Sequence, residues 1–278
     1  MPSIAPSKST TTTPPSLRAG RIPYLNSAPF FHGLALGAHD ELIDCVPREL
    51  GERAAAGEIT AGLLPLADVF RLQEMFERVG RFGIAVRGRA RSVTLFSRKP
   101  IRQLDGCAIA VTEETSTSAV LLRLLLEQRY HVQPKEYMRV SHSEAARPGS
   151  SEGRAGDALL LIGDEALRFQ QTNTRYPFEI DVAFEWWLWQ HLPCVFAVWA
   201  IRKDAAPEDK ARLERGLARA LAVNAGELAT LAQERSASLG VPAADLKIYL
   251  SNFIYRLGPS EDAAIQQFQR LADEHRLL

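Results

Sequence analysis

Apolar, strand-like segments alternate with amphipathic, helix-like segments along most of the chain. Strands are predicted at 18–24, 42–46, 60–64, 82–86, 92–97, 107–111, 137–140, 158–162 and 193–201. Helices are predicted at 47–56, 66–70, 119–129, from 165, 207–240 with a break around 224–226, 241–249 and 259–275. Because such alternation is typical of sheets covered by helices, the pattern predicts an α/β protein.

The order of these segments predicts two lobes with a cleft between them. At roughly 150 residues per domain, the length suggests about two domains. Two β/α blocks are joined by short links near 97–105 and 195–202, and the C-terminal helices return to the first block. We therefore expect 18–100 plus 200–278 to form lobe 1 and 101–199 to form lobe 2. Ligands favour such junctions.

Two polar segments are predicted to lie outside this framework. Residues 1–17 are rich in Ser, Thr and Pro and are expected to be a disordered leader. They lack the apolar run of about 7–15 residues that a secretory signal needs. The chain also lacks an apolar stretch of about 18 residues that could span a membrane, so a cytoplasmic protein without a membrane partner is expected. Residues 142–156 are expected to be a mobile surface loop.

Composition excludes several classes of function. The chain has 33 basic and 33 acidic residues, so its formal net charge is zero, unlike a typical nucleic-acid binder. Its three cysteines lie far apart in the sequence and form no cluster with histidines, which argues against a zinc site or a disulfide framework. No phosphate-binding or dinucleotide-binding glycine motif is present. We expect no metal and no cofactor.

Polar loops that follow apolar strands and precede helices are the candidate ligand-binding elements, because ligands bind at the carboxyl ends of strands in α/β sheets. Free N–H groups at the following helix starts suit an anion. The same residue types are ordinary helix caps, so each loop alone is more readily explained as a cap. Convergence of the loops would favour a site. The candidates are Asn26-Ser27, Thr112 to Ser118 and Gly163-Asp164, with Ser92 at a strand start.

Other conspicuous side chains have two explanations each. The tryptophans at 186, 187 and 189 could form a cleft wall that packs on a flat ligand ring, but core or hinge packing is favoured. His191 is better explained as a structural residue than as a catalytic base. The alternating arginines at 87, 89 and 91 could hold a carboxylate, but they fit a solvated face better.

The segment from Gly20 to Pro29, GRIPYLNSAP, resembles the chorismate dehydratases of the futalosine route to menaquinone. The likeness extends through nearly the whole chain from about residue 18, and the order and spacing of its motifs are specific. Further motifs are Gly57-Glu58-Ile59, Gly62 to Pro65, Ser92 to Ser97, Thr115 to Ser118, Leu160 to Leu167 and Leu192 to Trp199. The chain departs from the family at Gln190-His191, where Thr-Gly is usual, at Cys194 for Phe, and at Thr60 for Asp.

The resemblance implies a fold, an activity and a site. The implied fold is similar to type 2 periplasmic binding proteins, with two α/β lobes, a central cleft and two crossovers. The implied activity is removal of water from chorismate, the small-molecule substrate, to give 3-[(1-carboxyvinyl)oxy]benzoate. Asn26 and Ser92 match positions that contact substrate and are expected to be catalytic. The expected substrate-binding residues are Ser27, Thr115, Ser116, Thr117, Ser118, Gly163 and Asp164.

This reaction needs little chemical assistance from the protein. Chorismate is a dianion, and loss of its 4-hydroxyl group and a neighbouring ring hydrogen makes the ring aromatic. The protein then needs mainly to bind, to orient and to exclude water. We expect Asn26 and Ser92 to hold a carboxylate, while a substrate carboxylate takes the proton.

Two other functions fit the same fold. One is a non-enzymatic solute-binding or sensor protein for a small anion, which would bind without turnover. The other is the later enzyme of the same route that makes 1,4-dihydroxy-6-naphthoate. That family usually opens with a Ser-Pro-Cys-Pro-Asn-Asp type motif, and the chain has Pro23 to Ser27 in that place, which favours the dehydratase.

Overall fold

The computed structural model describes residues 17–141 and 156–278. Two mixed β-sheets with flanking helices are built from these residues, which confirms the predicted α/β class. The expected leader up to residue 16 and the expected surface loop at 142–155 lie outside the described residues. Leu17 does not belong to a leader: it is fully buried, and its N–H donates to Asp40 Oδ1 over 3.1 Å.

In chain order the strands are β1 (Arg18–Arg21), β2 (Glu41–Asp44), β3 (Ala61–Pro65), β4 (Phe76–Val86), β5 (Val93–Ser97), β6 (Ala108–Thr112), β7 (Glu136–Val140), β8 (Ala158–Ile162), β9 (Phe178–Asp181), β10 (Cys194–Arg202) and β11 (Phe253–Arg256). The first sheet has the order β11-β4-β10-β3-β1-β2, and the second has the order β7-β6-β8-β5-β9. In each sheet parallel pairs are combined with antiparallel ones.

The α-helices are α1 (Ala28–Phe31), α2 (Pro47–Ala55), α3 (Leu66–Arg71), α4 (Thr117–Arg123), α5 (Gly163–Thr172), α6 (Val182–Gln190), α7 (Pro207–Asn224), α8 (Leu228–Leu239), α9 (Ala243–Ser251) and α10 (Pro259–Glu274). A 3-10 turn at Leu25–Ser27 precedes α1, another lies at Ile101–Gln103, and a π-helical turn at Leu124–Arg129 continues α4. Helices α2 and α10 begin at a proline, whose fixed φ suits the first helical position.

Helix packing explains why the central strands are so apolar. All five residues of β3, of β5 and of β8 are buried, as expected for strands covered on both faces. Helix α2 lies against β1 at Gly20, where an added Cβ would stand 2.0 Å from Leu50 Cδ1. Glycine at this position therefore lets α2 approach the sheet, and this fixes the loop before α2 at the cleft.

The chain crosses between the sheets at 87–92 and at 191–193, and this corrects the predicted lobe boundaries. Strand β5 was expected in lobe 1 but pairs with β8 and β9 in the second sheet. Strand β10 was expected largely in lobe 2 but pairs with β3 and β4 in the first sheet. Strands of both lobes are equally apolar, so periodicity alone does not reveal which sheet a strand joins. We call the units built on the first and second sheets the first and second lobes.

The return crossing is held by a tryptophan. Trp186 is buried in α6, and its Nε1–H donates to the Pro193 carbonyl over 3.1 Å. Its ring also packs against Trp189 and Phe268. Core and hinge packing, the favoured explanation of this tryptophan, is therefore confirmed. His191 ends α6 in the left-handed conformation, with φ 55°, which gives it a structural role where the related family usually has glycine.

The arginines of the first crossing pack on aromatic rings. The Arg87 guanidinium lies 5.9 Å from the Trp187 ring centroid, and that of Arg89 lies 4.4 Å from the Phe184 ring centroid. These contacts with α6 hold the crossing against the second lobe. Neither arginine lines the cleft cavity described next.

Candidate functional site

A narrow cavity, the cleft cavity, lies between the two lobes. The carboxyl ends of β1, β3, β6 and β8 all contribute loops to it, so three of the four predicted polar elements do converge. Its walls are mostly apolar, with one side-chain amide, that of Asn26, and a few hydroxyls. The lining residues are Ile22, Tyr24, Asn26, Pro47, Pro65, Ile84, Val93, Thr115, Ser116, Thr117, Ser118, Ile162, Gly163, Phe196 and Ala197.

Asn26 stands at the cavity on the 3-10 turn before α1. Its side chain is half-buried and makes no hydrogen bond to any residue in the two described ranges. The amide therefore has both donors and its acceptor available to a ligand. The neighbouring Ser27 is buried and turned away from the cavity, since the single proton of its hydroxyl is shared between the carbonyls of Ile22 and Tyr24. Ser27 thus stabilises the turn that presents Asn26.

The Thr115 to Ser118 loop divides its hydroxyl groups between two tasks. Thr117 Oγ1 accepts the Ala67 N–H over 3.2 Å, and Ser116 Oγ accepts from Arg71 Nη1 over 3.2 Å, so both residues join the second lobe to the first. Thr115 Oγ1 is buried without a hydrogen-bond partner among the described residues. Ser118 also bonds to none of them through its hydroxyl. Thr115 and Ser118 are therefore the hydroxyls of this loop that remain for a ligand.

Gly163 lines the cavity from the second lobe, and Asp164 lies next to it without lining the cavity. Gly163 has φ +61°, and a Cβ there would stand 2.5 Å from the Tyr24 ring, so only glycine fits both the backbone and the contact. Asp164 Oδ1 accepts the Leu25 N–H over 2.8 Å, while Oδ2 forms an ion pair with Arg235. Burial raises the pKa of Asp164, and the Leu25 N–H and Arg235 oppose that rise. Asp164 is thus occupied as a clamp between the lobes.

Ser92 lies next to the cavity without lining it. The residue is fully buried, and its hydroxyl accepts a hydrogen bond of 2.8 Å from the Tyr249 hydroxyl. Burial raises the pKa of Tyr249, so the phenol keeps its proton and remains the donor. The Ser92 carbonyl accepts the Gly163 N–H over 2.7 Å. Direct contact between Ser92 and a substrate therefore stays a prediction.

The two lobes are in contact through the loop that contains Glu114. The Tyr24 hydroxyl donates to the Glu114 carboxylate, and the Arg48 N–H donates to the Glu114 carbonyl over 3.0 Å. Burial and the Glu114 charge raise the pKa of Tyr24, which therefore stays protonated. Sequence reasoning did not select Tyr24, Glu114, Arg235 or Tyr249. Two of these had a usable signal, since Tyr24 belongs to the same motif as Asn26 and Glu114 lies within the candidate loop from Thr112 to Ser118.

Two elements that would indicate other functions are a metal site and a membrane-spanning helix. Across 17–141 and 156–278, no three His, Cys, Asp or Glu side chains lie close enough together to hold a metal ion. Over that same part of the chain, none of the helices has the length and apolar character needed to cross a membrane.

The fold and the inter-lobe cleft define a two-lobe α/β protein of the periplasmic-binding-protein-like kind. Protein AF1704 from Archaeoglobus fulgidus superimposes with a TM-score of 0.77 at 18% identity, covering 94% of this chain and 98% of that one. The periplasmic aliphatic sulphonate binding protein SsuA from Escherichia coli superimposes with a TM-score of 0.63 at 14% identity, covering 96% and 89%. At these identities the likeness is one of fold.

The chain belongs to the menaquinone biosynthesis family, whose family model matches residues 17–274. A curated relative, the chorismate dehydratase of Thermus thermophilus, is 32% identical over 259 residues. That alignment covers 88% of this chain and 91% of the relative. The family membership expected from the quoted motifs is therefore confirmed.

Proposed function

We propose that this protein is a chorismate dehydratase, a hydro-lyase that converts chorismate to 3-[(1-carboxyvinyl)oxy]benzoate in menaquinone biosynthesis. The observation that carries the proposal is the relative of that name, which this chain matches over 91% of the relative's length. The cleft cavity supports it independently, because its apolar walls suit a six-membered ring and its few polar groups suit the ring's substituents.

Asn26 is the residue that we place in contact with substrate. Its amide is the side chain on the first-lobe face of the cavity that has donors to spare, and it would hold a carboxylate or the departing hydroxyl. Thr115 and Ser118 face it from the second lobe, beside the start of α4, whose first N–H groups lack helical partners. Together these groups would fix a dianion without any cationic side chain lining the cavity.

The proposed mechanism relies on binding and exclusion of water. Aromatisation of the ring supplies the driving force, so positioning the departing hydroxyl and the neighbouring hydrogen is the main task of the protein. A carboxylate of the substrate takes the ring proton and passes it to the departing hydroxyl, so that the two leave together as water. The half-buried tyrosine of the cavity, Tyr24, donates to Glu114 and has a raised pKa, so it stays protonated and does not act as the base. Closed contact between the lobes keeps water out.

The test is incubation of the purified protein with chorismate. We expect loss of the ultraviolet absorbance of chorismate and, by mass spectrometry, a product lighter by one water. Saturable chorismate binding without any product would overturn the proposal and favour a solute-binding protein of this fold. If the protein ignored chorismate but made 1,4-dihydroxy-6-naphthoate from its precursor, the later enzyme of the route would be the correct assignment.

A further inference from the structure

A second pocket opens beside the cleft cavity, and its charge differs sharply from that of the cavity. We call it the arginine pocket. It contains two arginines from the first lobe and two from the second, together with two carboxylates, and it adjoins the cleft cavity at Thr115 and Ser116. The charged residues are Arg48 on α2, Arg71 on α3, Arg123 on α4, Arg139 on β7, Glu52 and Asp68.

The ion pairs of this pocket leave positive charge uncompensated. Arg48 pairs with Glu52 over 2.7 Å, Arg71 with Asp68 over 2.7 Å and Arg123 with Glu127 over 3.1 Å. Arg139 forms no ion pair with any side chain at 17–141 or 156–278. Burial and repulsion from Arg48 lower the pKa of Arg139. In a chain of zero net charge, this concentration of cations is local.

Two buried polar groups of the pocket point to a missing partner. Thr115, which lines both the cleft cavity and the arginine pocket, is 1% exposed, and its Oγ1 has no hydrogen-bond partner in the described part of the chain. Asp68 is 8% exposed, and its Oδ2 is likewise unpartnered there. Burial raises the pKa of Asp68, and hydrogen bonds from Ser116 and Arg71 oppose that rise. Unpaired buried groups are costly, so a ligand that bonds to them offsets their desolvation penalty.

We propose that the arginine pocket binds a small oxyanion carrying two negative charges, of the phosphate or dicarboxylate kind. The dianion pairs with Arg139, which has no carboxylate partner among the described residues, and bridges Arg71 of the first lobe to Arg123 and Arg139 of the second. Charge-assisted hydrogen bonds from arginine to such oxygens are among the strong ones in proteins. The proposal goes beyond the dehydratase activity and needs no turnover in the cleft cavity.

The experiment is a calorimetric titration of the full chain with inorganic phosphate, at low constant ionic strength and a pH where phosphate is doubly charged. The wild type is compared with Arg139→Gln and with the Arg123→Gln/Arg139→Gln double variant. The matched control is Arg270→Gln, because Arg270 is an exposed helix-surface arginine outside the pocket. Both pocket arginines are partly exposed, and thermal melting verifies that each variant is folded.

We expect phosphate affinity to fall by about fivefold in Arg139→Gln and by about tenfold or more in the double variant, since each lost charge removes a charge-assisted bond. Arg270→Gln should bind like the wild type. Absence of phosphate binding to the wild type, or equal affinity in the double variant, would overturn the proposal. A catalytically inactive protein that binds phosphate in this way would refute only the proposed function.

A competition arm identifies the source of the dianion. If phosphate weakens chorismate binding in the wild type but not in the double variant, the pocket receives the substrate's own carboxylates on their way into the cavity. If phosphate and chorismate bind independently, the pocket serves a separate free anion. Either result supports an oxyanion site, and the two results assign it to different ligands.

Discussion

Two loops that meet across the cleft have similar positions but different tasks. The Asn26 loop follows β1 in the first lobe, and the Gly163-Asp164 loop follows β8 in the second. Both precede a helix, and both present a polar side chain beside the other loop, since the Leu25 N–H donates to Asp164. Asn26 bonds to none of the described residues, whereas both carboxylate oxygens of Asp164 are bonded.

The difference teaches that a polar residue at a strand-to-helix loop is not a ligand group by position alone. What matters is whether the fold has already used its hydrogen-bonding capacity. In the first lobe Ser27 satisfies the turn and leaves Asn26 free, while in the second lobe Asp164 is consumed in lobe closure. Substitutions on the two sides should therefore separate catalysis from closure.

The largest effect is expected for Asn26→Ala, on the ligand side of the comparison. Removing one donor that stabilises developing charge typically costs about 100-fold or more in kcat. Stability should change by less than about 0.5 kcal/mol, because Asn26 bonds to no described residue. Turnover of chorismate and the melting temperature are the two measurements.

Asn26→Asp sharpens this test because it keeps the shape but repels a dianion, and its activity should also collapse. Asn252→Ala, at the end of α9, serves as the control. Full activity of Asn26→Ala would show that Asn26 does not take part in binding or turnover of the substrate.

Gly163→Ala should come next, on the closure side. The added Cβ would meet the Tyr24 ring at 2.5 Å, and the left-handed backbone adds about 1–2 kcal/mol of strain. We expect kcat/KM to fall by about tenfold to 100-fold, since about 1.4 kcal/mol corresponds to a factor of ten.

Gly106→Ala is the matched control for Gly163→Ala. Gly106 has nearly the same φ, +66°, but nothing lies within 4 Å of a Cβ there, so it reports the backbone strain alone. Equal losses of kcat/KM in the two alanine variants would mean that the contact between Gly163 and Tyr24 is unimportant.

Ser92→Ala and Tyr249→Phe form a pair that tests the residue beneath the Gly163 loop. Each variant leaves one buried hydroxyl without its partner, which costs about 1–3 kcal/mol of stability. We expect kcat/KM to fall by a similar factor in both, about tenfold, if Ser92 acts by positioning the loop.

The double variant Ser92→Ala/Tyr249→Phe should lose little more activity than either single variant, because both partners act as one unit. A far larger loss in Ser92→Ala than in Tyr249→Phe would instead establish the substrate contact that the family resemblance implies.

The smallest effect is expected from Asp164→Asn, measured as a pH dependence of stability. Burial raises the pKa of Asp164 above its ordinary 3.8, so the folded protein holds this proton more tightly than the unfolded chain does. The contribution of Asp164 to stability therefore declines as pH rises from about 3.8 through the native pKa, and is constant below both values.

The neutral amide lacks this dependence, so the melting temperature of Asp164→Asn minus that of the wild type should rise over the same pH interval. Arg235→Gln should steepen the wild-type slope, because it removes a cation that opposes the pKa rise. If the melting temperatures of all three proteins changed with pH in parallel, the raised pKa assigned to Asp164 would be contradicted.

Much of the fold follows from the sequence because its signals are local. The apolar runs that became β3, β6 and β8 and the proline starts of α2 and α10 were all predicted. Sheet membership was not, because β5 and β10 carry the same apolar pattern as strands of the other lobe. Pairing depends on long-range contacts that a local pattern does not encode.

The sequence predicts which loops form the site, but not the role of each residue in those loops. The sequence places Asn26, the Thr115 to Ser118 loop and Gly163 at loops, and these three converge on the cleft cavity. It does not reveal that Arg235, far along the chain on α8, neutralises Asp164. Nor does it reveal that Tyr249 occupies the hydroxyl of Ser92. The role of a candidate residue was not predictable where a residue distant in the sequence already uses its hydrogen-bonding capacity.

Closure through Glu114, Thr117 and Asp164 has a kinetic consequence. These bonds join one lobe of the protein to the other, so they must break whenever the cleft opens. Molecules then enter only during excursions to an open form, and their apparent affinity is scaled by the open fraction. The observed association rate should therefore level off at high chorismate concentration, at a ceiling equal to the opening rate.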